Sequence, residues 1–486
     1  MTVAERPLLR RQGYVAGQWI DAESGKSFAV TNPATGKLVA MVADLGLAET
    51  QRAIDAAAAA QPAWAALPAK ERAALLRRWF ELILAHREEL AALMTAEQGK
   101  PLAEARNEIT YGAAFIEWFA EEGKRVYGDV IPAPARDRRL LVLKQPIGVC
   151  AAITPWNFPS AMIPRKAGPA LAAGCAMIVK PAELTPLSAL ALAELADRAG
   201  LPAGLLSVIP CDGGSAPMIG QLLCESPKIR KISFTGSTEV GRILLRQSAE
   251  TIKKCSLELG GNAPFIVFDD ADLEAAVKGA MASKYRNAGQ TCVCANRILV
   301  QDGIYDAFAK RMAEEVARLK VGNGAEEGVT VGPLIEPAAL DKVEGHVRDA
   351  LARGAKLLCG GQRHPLGGTF YQPTLLTEVT REMRIFREET FGPVAPLIRF
   401  KSEEEAVGLA NDTEYGLAAY VYTRDVGRVF RVGEALDYGM VGVNEGLIST
   451  EAAPFGGVKR SGLGREGSKY GIEDYLEIKY LCLGGL

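Results

Sequence analysis

The spacing of apolar residues changes along the chain and divides it into segments. Near the N-terminus, Tyr14–Ile20 and Ser27–Val30 alternate between apolar and polar positions and are separated by Gly and Asn-Pro turns, which predicts a β-hairpin. From Leu47 to about Val126 apolar residues recur at helical spacing, with charged residues between them. This second segment is predicted to form packed helices.

From Leu140 onward, short apolar strands alternate with helices, a pattern typical of a parallel sheet covered on both faces. The predicted strands are Val149–Ile153, Ala176–Val179, Leu205–Ile209, Ile232–Phe234 and Phe265–Phe268, and the predicted helices are Ser160–Ala173 and Ser188–Ala199. Ligands of such sheets bind at the carboxyl ends of the strands.

A second α/β series begins near Leu273 and predicts another domain of similar size. Its helices are predicted at Leu273–Arg286, Ile304–Leu319 and Leu340–Arg353, and its strands at Ile298–Val300, Leu357–Leu358 and Tyr420–Tyr422. At 486 residues the chain exceeds the size of one hydrophobic core, so two or three domains are expected. The segment Tyr475–Leu483 has the pattern of an exposed apolar strand that pairs with another subunit.

Composition excludes several classes of protein. A net charge of −2 offers no basic surface for a nucleic acid. The long uncharged stretch between Lys144 and Arg165 contains four prolines, so no membrane span is expected. The N-terminal arginines precede no apolar run, which argues against a secretory signal. Nine cysteines spread over the chain do not predict a disulfide scaffold, so we expect a reducing, cytoplasmic compartment.

One glycine-rich segment is a candidate for binding the pyrophosphate of a dinucleotide. It follows a predicted strand, opens a helix, and consists of Gly236, Ser237, Thr238, Glu239, Val240 and Gly241. The same residues also make a good helix N-cap, so the motif alone is weak. Gly462, Gly464 and Gly467 match the G-x-G-x-x-G pattern, but no strand precedes them and they are predicted to form a loop.

Lys180, Pro181, Ala182 and Glu183 end another strand of the same predicted sheet. A carboxylate at this place can accept both ribose hydroxyls of an adenosine and would repel a 2′-phosphate. Glu183 therefore favours NAD over NADP as the cofactor. The alternative is a surface Lys–Glu pair at a strand end.

Cys292, in the segment Gly289–Cys294, is the sharpest candidate for chemistry. Most cysteines are small buried residues, but Cys292 follows a helix on a Gly-Gln-Thr turn that would expose its sulfur. The Cys292–Cys294 pair could be half of a metal site. With no second such pair and only three histidines, none at ligand spacing, no metal is predicted.

A nucleophilic thiol needs a base, and no histidine lies in a suitable motif. Glu258, between Leu257 and Leu259, offers a carboxylate whose pKa burial would raise; a Glu that caps a strand is the alternative. Asn157 supplies an amide N–H at a strand end, which suits an oxyanion. Glu389 lies in the segment 388–393, which decides nothing alone.

These motifs, in this order, resemble the aldehyde dehydrogenase superfamily over essentially the whole chain. The resemblance implies that Cys292 is the nucleophile, Glu258 the general base and Asn157 the oxyanion donor. It also implies that the cofactor, NAD or NADP, contacts the glycine-rich segment 236–241 together with Thr154, Trp156, Asn157, Lys180, Pro181, Ala182, Glu183, Leu259, Glu389 and Phe391.

The fold implied by this resemblance is α/β and has three parts. These are a Rossmann-like NAD-binding domain (1–125 and 146–257), a second α/β catalytic domain (258–457) and a small β oligomerisation arm (126–145 and 470–486). The chain is therefore expected to form a homo-oligomer, a dimer or a tetramer.

Within the superfamily the chain is most similar to the succinate-semialdehyde dehydrogenases. That resemblance implies that Arg165, Arg286 and Ser449 grip the distal carboxylate of the aldehyde, a task that suits guanidinium groups. Substrates differing by one methylene, such as glutarate semialdehyde, and a broader specificity remain open alternatives. Cys294 is interpreted either as a buried small residue or as a redox partner that captures oxidised Cys292.

Two other classes of protein remain to be separated by experiment. A cofactor-free thiol hydrolase would require a histidine partner and no nucleotide site. A non-catalytic binding protein would not need Cys292, Glu258 and Asn157 together. Formation of NADH with an aldehyde separates both classes from a dehydrogenase.

Overall fold

The structure is a computed structural model, and it describes residues 8–486 of the chain. Strand β1 (Gly13–Val15) pairs with β2 (Gln18–Ile20), and β3 (Ser27–Thr31) pairs with β4 (Leu38–Ala43). The prediction of one hairpin is therefore wrong, because each apolar segment lies in its own hairpin. A two-residue turn with positive φ at both positions matches the twist of paired strands, and Ala16-Gly17 provides one at φ 54° and 79°.

Four helices follow and confirm the predicted helical segment. They are α1 (Leu47–Ala66), α2 (Ala69–Ala85), α3 (Arg87–Gln98) and α4 (Leu102–Glu122). Their apolar faces, including Trp64, Leu76 and Phe115, are buried against the first sheet and its helices. No helix in the described part of the chain is long and apolar enough to cross a membrane.

Strands and helices alternate over the next 130 residues. They are β5 (Asp129–Ile131), β6 (Arg138–Pro146), β7 (Val149–Ile153), α5 (Pro164–Ala173), β8 (Ala176–Lys180), α6 (Pro186–Arg198), β9 (Leu206–Val208), α7 (Ala216–Glu225), β10 (Ile229–Thr235), α8 (Thr238–Ser248) and β11 (Lys254–Glu258).

The C-terminal half repeats this alternation. Its elements are β12 (Ala263–Val267), α9 (Leu273–Tyr285), β13 (Ala295–Gln301), α10 (Asp302–Val316), α11 (Pro337–Ala352), β14 (Lys356–Cys359), β15 (Thr374–Thr377), α12 (Arg384–Arg387), β16 (Val394–Phe400), α13 (Glu403–Asn411), β17 (Tyr415–Gly416), β18 (Ala418–Tyr422), α14 (Val426–Ala435), β19 (Met440–Val443), β20 (Val458–Lys459), β21 (Gly462–Leu463), α15 (Ser468–Gly471) and β22 (Leu476–Gly484).

The first sheet has the order β2-β1-β9-β8-β7-β10-β11-β21. Its five central strands are parallel, and their order along the sheet is third, second, first, fourth, fifth in the chain. In such a sheet the strand order reverses between the first and fourth strands, and ligands bind in the crevice at the carboxyl ends there. The loops after β7 and β10 therefore border the expected nucleotide site.

The second sheet has the order β14-β15-β16-β13-β12-β18-β19, and all its neighbouring strands except β14 and β15 pair in parallel. The prediction that Phe265–Phe268 continues the first strand series is wrong, because β12 lies in this second sheet. Ile266 packs in one hydrophobic core and Phe265 with Val267 in another, on opposite faces of the sheet. Burial on both faces gives a continuous apolar run, as in any parallel sheet.

The third sheet is a small antiparallel arm of β22, β6 and β5. Strand β22 pairs with β6 along its whole length and is exposed from its second residue onward. The strands of this sheet come from the two segments that were predicted to form an arm, 126–145 and 470–486, with Pro146 one residue beyond the first. The residue boundaries of the three predicted domains stay a prediction.

A buried ion pair ties the N-terminal helices to the loop after β7. Lys100 Nζ is 2.5 Å from Glu108 Oε2 and also donates to the carbonyl oxygen of Asn157 at 2.8 Å. Glu108 Oε1 accepts the backbone N–H groups of Ser160 and Ala161 at 3.0 and 3.1 Å. Both charged side chains are almost fully buried.

We predict that Glu108→Ala lowers the free energy of unfolding by about 3–5 kcal/mol, since it leaves a buried ammonium without its partner. The matched control is Glu88→Ala, which removes the exposed ion pair with Arg106 and should cost about 1 kcal/mol or less. Denaturant unfolding of both variants provides the measurement. Similar losses in the two variants would contradict the structural role of Glu108.

Candidate active site

A cleft of about 430 Å³ opens where the carboxyl ends of the first sheet face the second sheet. Its size is typical of sites for small ligands. The residues that line it include the predicted Trp156, Asn157, Gly236, Ser237, Glu258, Leu259, Cys292, Glu389 and Phe391. Glu336 and Lys342, at the start of α11, also line it and were not predicted, because they form no recognisable motif with the other residues.

The loop that carries Cys292 has an unusual backbone. Asn287, Ala288 and Gly289 all adopt left-handed conformations, with φ of 51°, 55° and 76°. A Cβ on Gly289 would lie 2.2 Å from the carbonyl oxygen of Gly392, so this position requires glycine. Sparsely populated backbone conformations of this kind are found at functional sites and persist only when the surroundings hold them.

Side-chain amides hold this loop against Asn157. Asn287 Nδ2 donates to the carbonyl oxygens of Asn157 and Gln290 at 3.0 and 3.1 Å, and Gln98 Nε2 donates to Asn287 Oδ1 at 3.0 Å. Asn157 Nδ2 donates one hydrogen to the Gln290 carbonyl at 3.0 Å. The second hydrogen of that amide stays available to a ligand, because Nδ2 carries two.

The Cys292 thiol is partly exposed in the cleft. Burial and the nearby Glu389 carboxylate raise the pKa of Cys292 to about 12, against the opposing effect of Arg165. The sulfur is therefore a neutral thiol at neutral pH in the protein without ligands. Because only the thiolate is strongly nucleophilic, a base must remove its proton.

Glu258 ends β11 and is 3% exposed. Burial and the Glu466 carboxylate raise the pKa of Glu258 well above its usual value, although Arg165 and Lys166 oppose this. Burial acts to raise the pKa of Glu466, but the charges of Lys166 and Arg165 outweigh burial and lower this pKa below its usual value. Two carboxylates with opposite shifts are the arrangement expected around an acid–base group. Glu258 Oε2 has no hydrogen-bond partner among the described residues, so it can accept a hydrogen bond from a ligand or a water molecule.

The glycine-rich segment joins β10 to α8 as predicted. Ser237 caps α8, and its side-chain oxygen accepts the backbone N–H of Val240 at 3.2 Å. A Cβ on Gly241 would lie 2.5 Å from a methyl carbon of Leu259, so glycine permits this close packing. Thr238 and Glu239 form the first turn of α8, whose free N–H groups suit a pyrophosphate.

The predicted adenosine-binding residues follow β8. Lys180 is buried, and its Nζ lies 3.7 Å from the half-exposed carboxylate of Glu183. Pro181 and Ala182 are buried between them, and the backbone N–H of Thr154 donates to the Lys180 carbonyl at 3.1 Å. A carboxylate at the edge of the sheet fits a ribose with two free hydroxyls.

Glu389 and Phe391 lie on the opposite wall of the cleft. Glu389 Oε1 accepts the backbone N–H of Gly261 at 3.1 Å, and burial raises the pKa of Glu389 to about 7. Phe391, at φ 54°, places its ring edge-on to Trp156 with centroids 5.6 Å apart. The donors, the carboxylates and the space between them fit a nicotinamide dinucleotide.

The residues predicted to bind the substrate divide into two groups. Arg286 and Ser449 line a second cavity of about 220 Å³ together with Tyr111 and Phe158. Arg165 does not line it. Its Nε lies 3.0 Å from Glu466 Oε2, and its guanidinium stacks on the ring of Phe455.

Tyr111 and Arg165 are linked, since Arg165 Nη1 is 3.4 Å from the Tyr111 hydroxyl. Sequence reasoning missed Tyr111, because a tyrosine on a packed helix has no distinguishing pattern.

Cys294 is buried away from the cleft. Its thiol donates to the carbonyl oxygen of Lys284 at 3.3 Å, and its backbone N–H donates to Thr291 at 3.0 Å. A disulfide with Cys292 would require this thiol to leave its hydrogen bond, and the redox switch stays a prediction. Within residues 8–486 no group of three or more His, Cys, Asp and Glu side chains could hold a metal ion.

The fold is that of an aldehyde dehydrogenase. Residues 19–481 match the aldehyde dehydrogenase family, and the chain belongs to that family of NAD(P)-dependent enzymes.

The chain is 63% identical to a glutarate-semialdehyde dehydrogenase of Pseudomonas aeruginosa over 486 residues, all of both chains. It is also 63% identical to the NADP(+) succinate-semialdehyde dehydrogenase GabD of Escherichia coli, over 484 residues and 100% of each chain. The crystal structure of succinate-semialdehyde dehydrogenase from Burkholderia pseudomallei superimposes with a TM-score of 0.97 at 63% identity, covering 99% of both chains.

The raised pKa of Cys292 predicts how fast the free enzyme reacts with iodoacetamide. Alkylation of Cys292, followed by mass spectrometry, should accelerate roughly tenfold per pH unit from about pH 7 to pH 10, without a plateau. Glu389→Gln removes the largest opposing charge and should accelerate alkylation at fixed pH. A plateau near neutral pH would mean that the thiolate is already formed.

Proposed function

We propose that this enzyme oxidises succinate semialdehyde to succinate with NAD(P), through a thioester on Cys292. The observation that carries the proposal is the second cavity, where Arg286 and Ser449 offer a cation and a hydroxyl to a carboxylate. Guanidinium groups recognise carboxylates through paired hydrogen bonds. Glutarate semialdehyde is the alternative substrate, since it has the same two functional groups and one more methylene.

The first chemical step makes a carbon–sulfur bond. Glu258 takes the proton of the Cys292 thiol, and the thiolate attacks the aldehyde carbon. The carbonyl electron pair moves to oxygen, where the free N–H of Asn157 Nδ2 and the backbone N–H of Cys292 stabilise the negative charge.

The second step is oxidation followed by hydrolysis. The first turn of α8, Glu183 and Glu389 would hold the dinucleotide, whose nicotinamide would accept the hydride. Loss of hydride from the tetrahedral carbon leaves a thioester on Cys292. Glu258, after releasing the thiol proton to solvent, then accepts a proton from water as the water attacks the thioester. The carbon–sulfur bond breaks, the Cys292 sulfur keeps the electron pair, and the acid leaves.

A thiol hydrolase is the competing class of enzyme. Such an enzyme would need a histidine beside its cysteine, and within residues 8–486 no histidine lines the cleft around Cys292. Of the three histidines, His346 is buried and bonded to Glu388 and Thr390. None of the three lines the cleft around Cys292. A carboxylate base and a nucleotide-sized cleft favour the dehydrogenase.

The substrate is tested with Arg286→Ala and two aldehydes. For succinate semialdehyde we expect a loss of about 2–5 kcal/mol in transition-state stabilisation, because a desolvated carboxylate loses its partner. Acetaldehyde has no carboxylate and should be oxidised at nearly the original kcat/KM. Arg363→Ala, which removes only exposed ion pairs, is the control variant. Equal losses of kcat/KM with both aldehydes would refute the proposal that Arg286 binds the substrate carboxylate.

The cofactor preference is a separate proposal. We propose that NAD is preferred to NADP, because a 2′-phosphate beside the Glu183 carboxylate would be a like-charge contact. The E. coli relative is named for NADP(+), so the two cofactors need direct comparison.

We predict a higher kcat/KM with NAD than with NADP in the wild type. Glu183→Gln should narrow this ratio by raising activity with NADP, whereas the exposed Glu225→Gln should leave it unchanged. Preference for NADP in the wild type would mean that Glu183 does not face the 2′ position.

We also propose that the enzyme is a homo-oligomer assembled through the antiparallel arm. Strand β22 leaves Ile478, Tyr480 and Leu483 exposed on an edge strand, with relative exposures of 71%, 57% and 41%. An exposed apolar edge strand is an aggregation hazard unless a partner covers it.

A further inference from the structure

Tyr111 lies on α4 at the wall of the cavity that also contains Arg286 and Ser449. Its ring packs edge-on against Phe115, with centroids 5.1 Å apart and planes at 86°. Phe115 is fully buried, so this contact fixes where the tyrosine ring stands. The hydroxyl is thereby held at a defined place in the cavity.

The hydroxyl of Tyr111 still has a hydrogen to donate. Its oxygen accepts from Arg165 Nη1 at 3.4 Å. A phenol has one O–H donor besides its acceptor lone pairs. An acceptor on a ligand in the cavity can therefore receive the phenolic hydrogen.

The two arginines that act on this hydroxyl favour an anionic ligand beside it. Burial raises the pKa of Tyr111, and Arg165 and Arg286 are the largest effects that lower it. Both arginines therefore act on the same oxygen, and Ser449 is its hydrogen-bonding neighbour. A negative charge placed beside the hydroxyl would be stabilised by both cations.

Arg165 contacts the Tyr111 hydroxyl but does not itself line the cavity. Its guanidinium is stacked on Phe455 at 4.1 Å, and its charge is balanced by Glu466. Arg165 does not line the cavity, whereas Tyr111 does. A ligand in the cavity thus meets the hydroxyl that Arg165 polarises.

We propose that Tyr111 is a specificity-determining residue whose hydroxyl donates a hydrogen bond to the distal carboxylate of the substrate. This inference rests on the proposed oxidation of an aldehyde that carries a carboxylate. Arg286 and Ser449, which line the same cavity, hold the same carboxylate. The enzyme thereby distinguishes an aldehyde that ends in a carboxylate from a neutral aldehyde of the same length.

The test is Tyr111→Phe, which keeps the ring against Phe115 and removes only the hydroxyl. With succinate semialdehyde, kcat/KM should fall about 10- to 100-fold, mainly through a higher KM, as expected for a lost hydrogen bond to a charged group. With butanal, which has four carbons and no carboxylate, kcat/KM should stay within about twofold. Tyr470→Phe, whose side chain is exposed and outside the cavity, is the matched control.

Three outcomes would overturn the proposal. Equal losses of kcat/KM with both aldehydes would show that Tyr111 has only a structural role. An unchanged kcat/KM with succinate semialdehyde would show that the Tyr111 hydroxyl does not contact the substrate. A wild type with no preference for succinate semialdehyde over butanal would refute the proposed substrate itself, and with it the carboxylate contact. The unfolding midpoint is measured in parallel, and if Tyr111→Phe is unstable, Tyr111→Met must show the same substrate-selective loss.

Discussion

The arrangement of the site depends on the close approach of two backbones at Gly261. A Cβ on this residue would lie 2.4 Å from the carbonyl oxygen of Cys292, so no larger residue fits without displacing the loop that carries Cys292. The backbone N–H of Gly261 also donates to Glu389. One residue without a side chain therefore sets the spacing between the Cys292 loop and the opposite wall of the cleft.

Gly261 belongs to the short segment that crosses from the first sheet to the second. Glu258 ends β11, and β12 begins at Ala263. Asn262 anchors the crossing, because its carbonyl oxygen accepts from Arg297 and its side-chain oxygen accepts from Asn296. The two sheets are thus joined at the point where Glu258 and Cys292 meet the same cleft.

The site residues that could be predicted from the sequence lie in motifs of a few consecutive residues. Cys292, Glu258 and Asn157 each stand in a local motif at a strand end or turn, and the structure brings all three to one cleft. The assignment of β12 to the first sheet was wrong because an apolar run does not reveal which sheet buries it. The role proposed for Tyr111 could not be predicted from the sequence, because it depends on a contact with Arg165, 54 residues away in the chain.

The division of labour between Cys292 and Glu258 is tested most directly by rapid-mixing measurement of NADH formation in Glu258→Gln. Solvent hydroxide can remove the thiol proton slowly in place of Glu258, so this variant should give a slow burst of about one NADH per active site. Turnover should then nearly stop, because the thioester is not hydrolysed. Cys292→Ala should give no burst. Steady turnover at the wild-type rate in Glu258→Gln, or a burst in Cys292→Ala, would contradict the account.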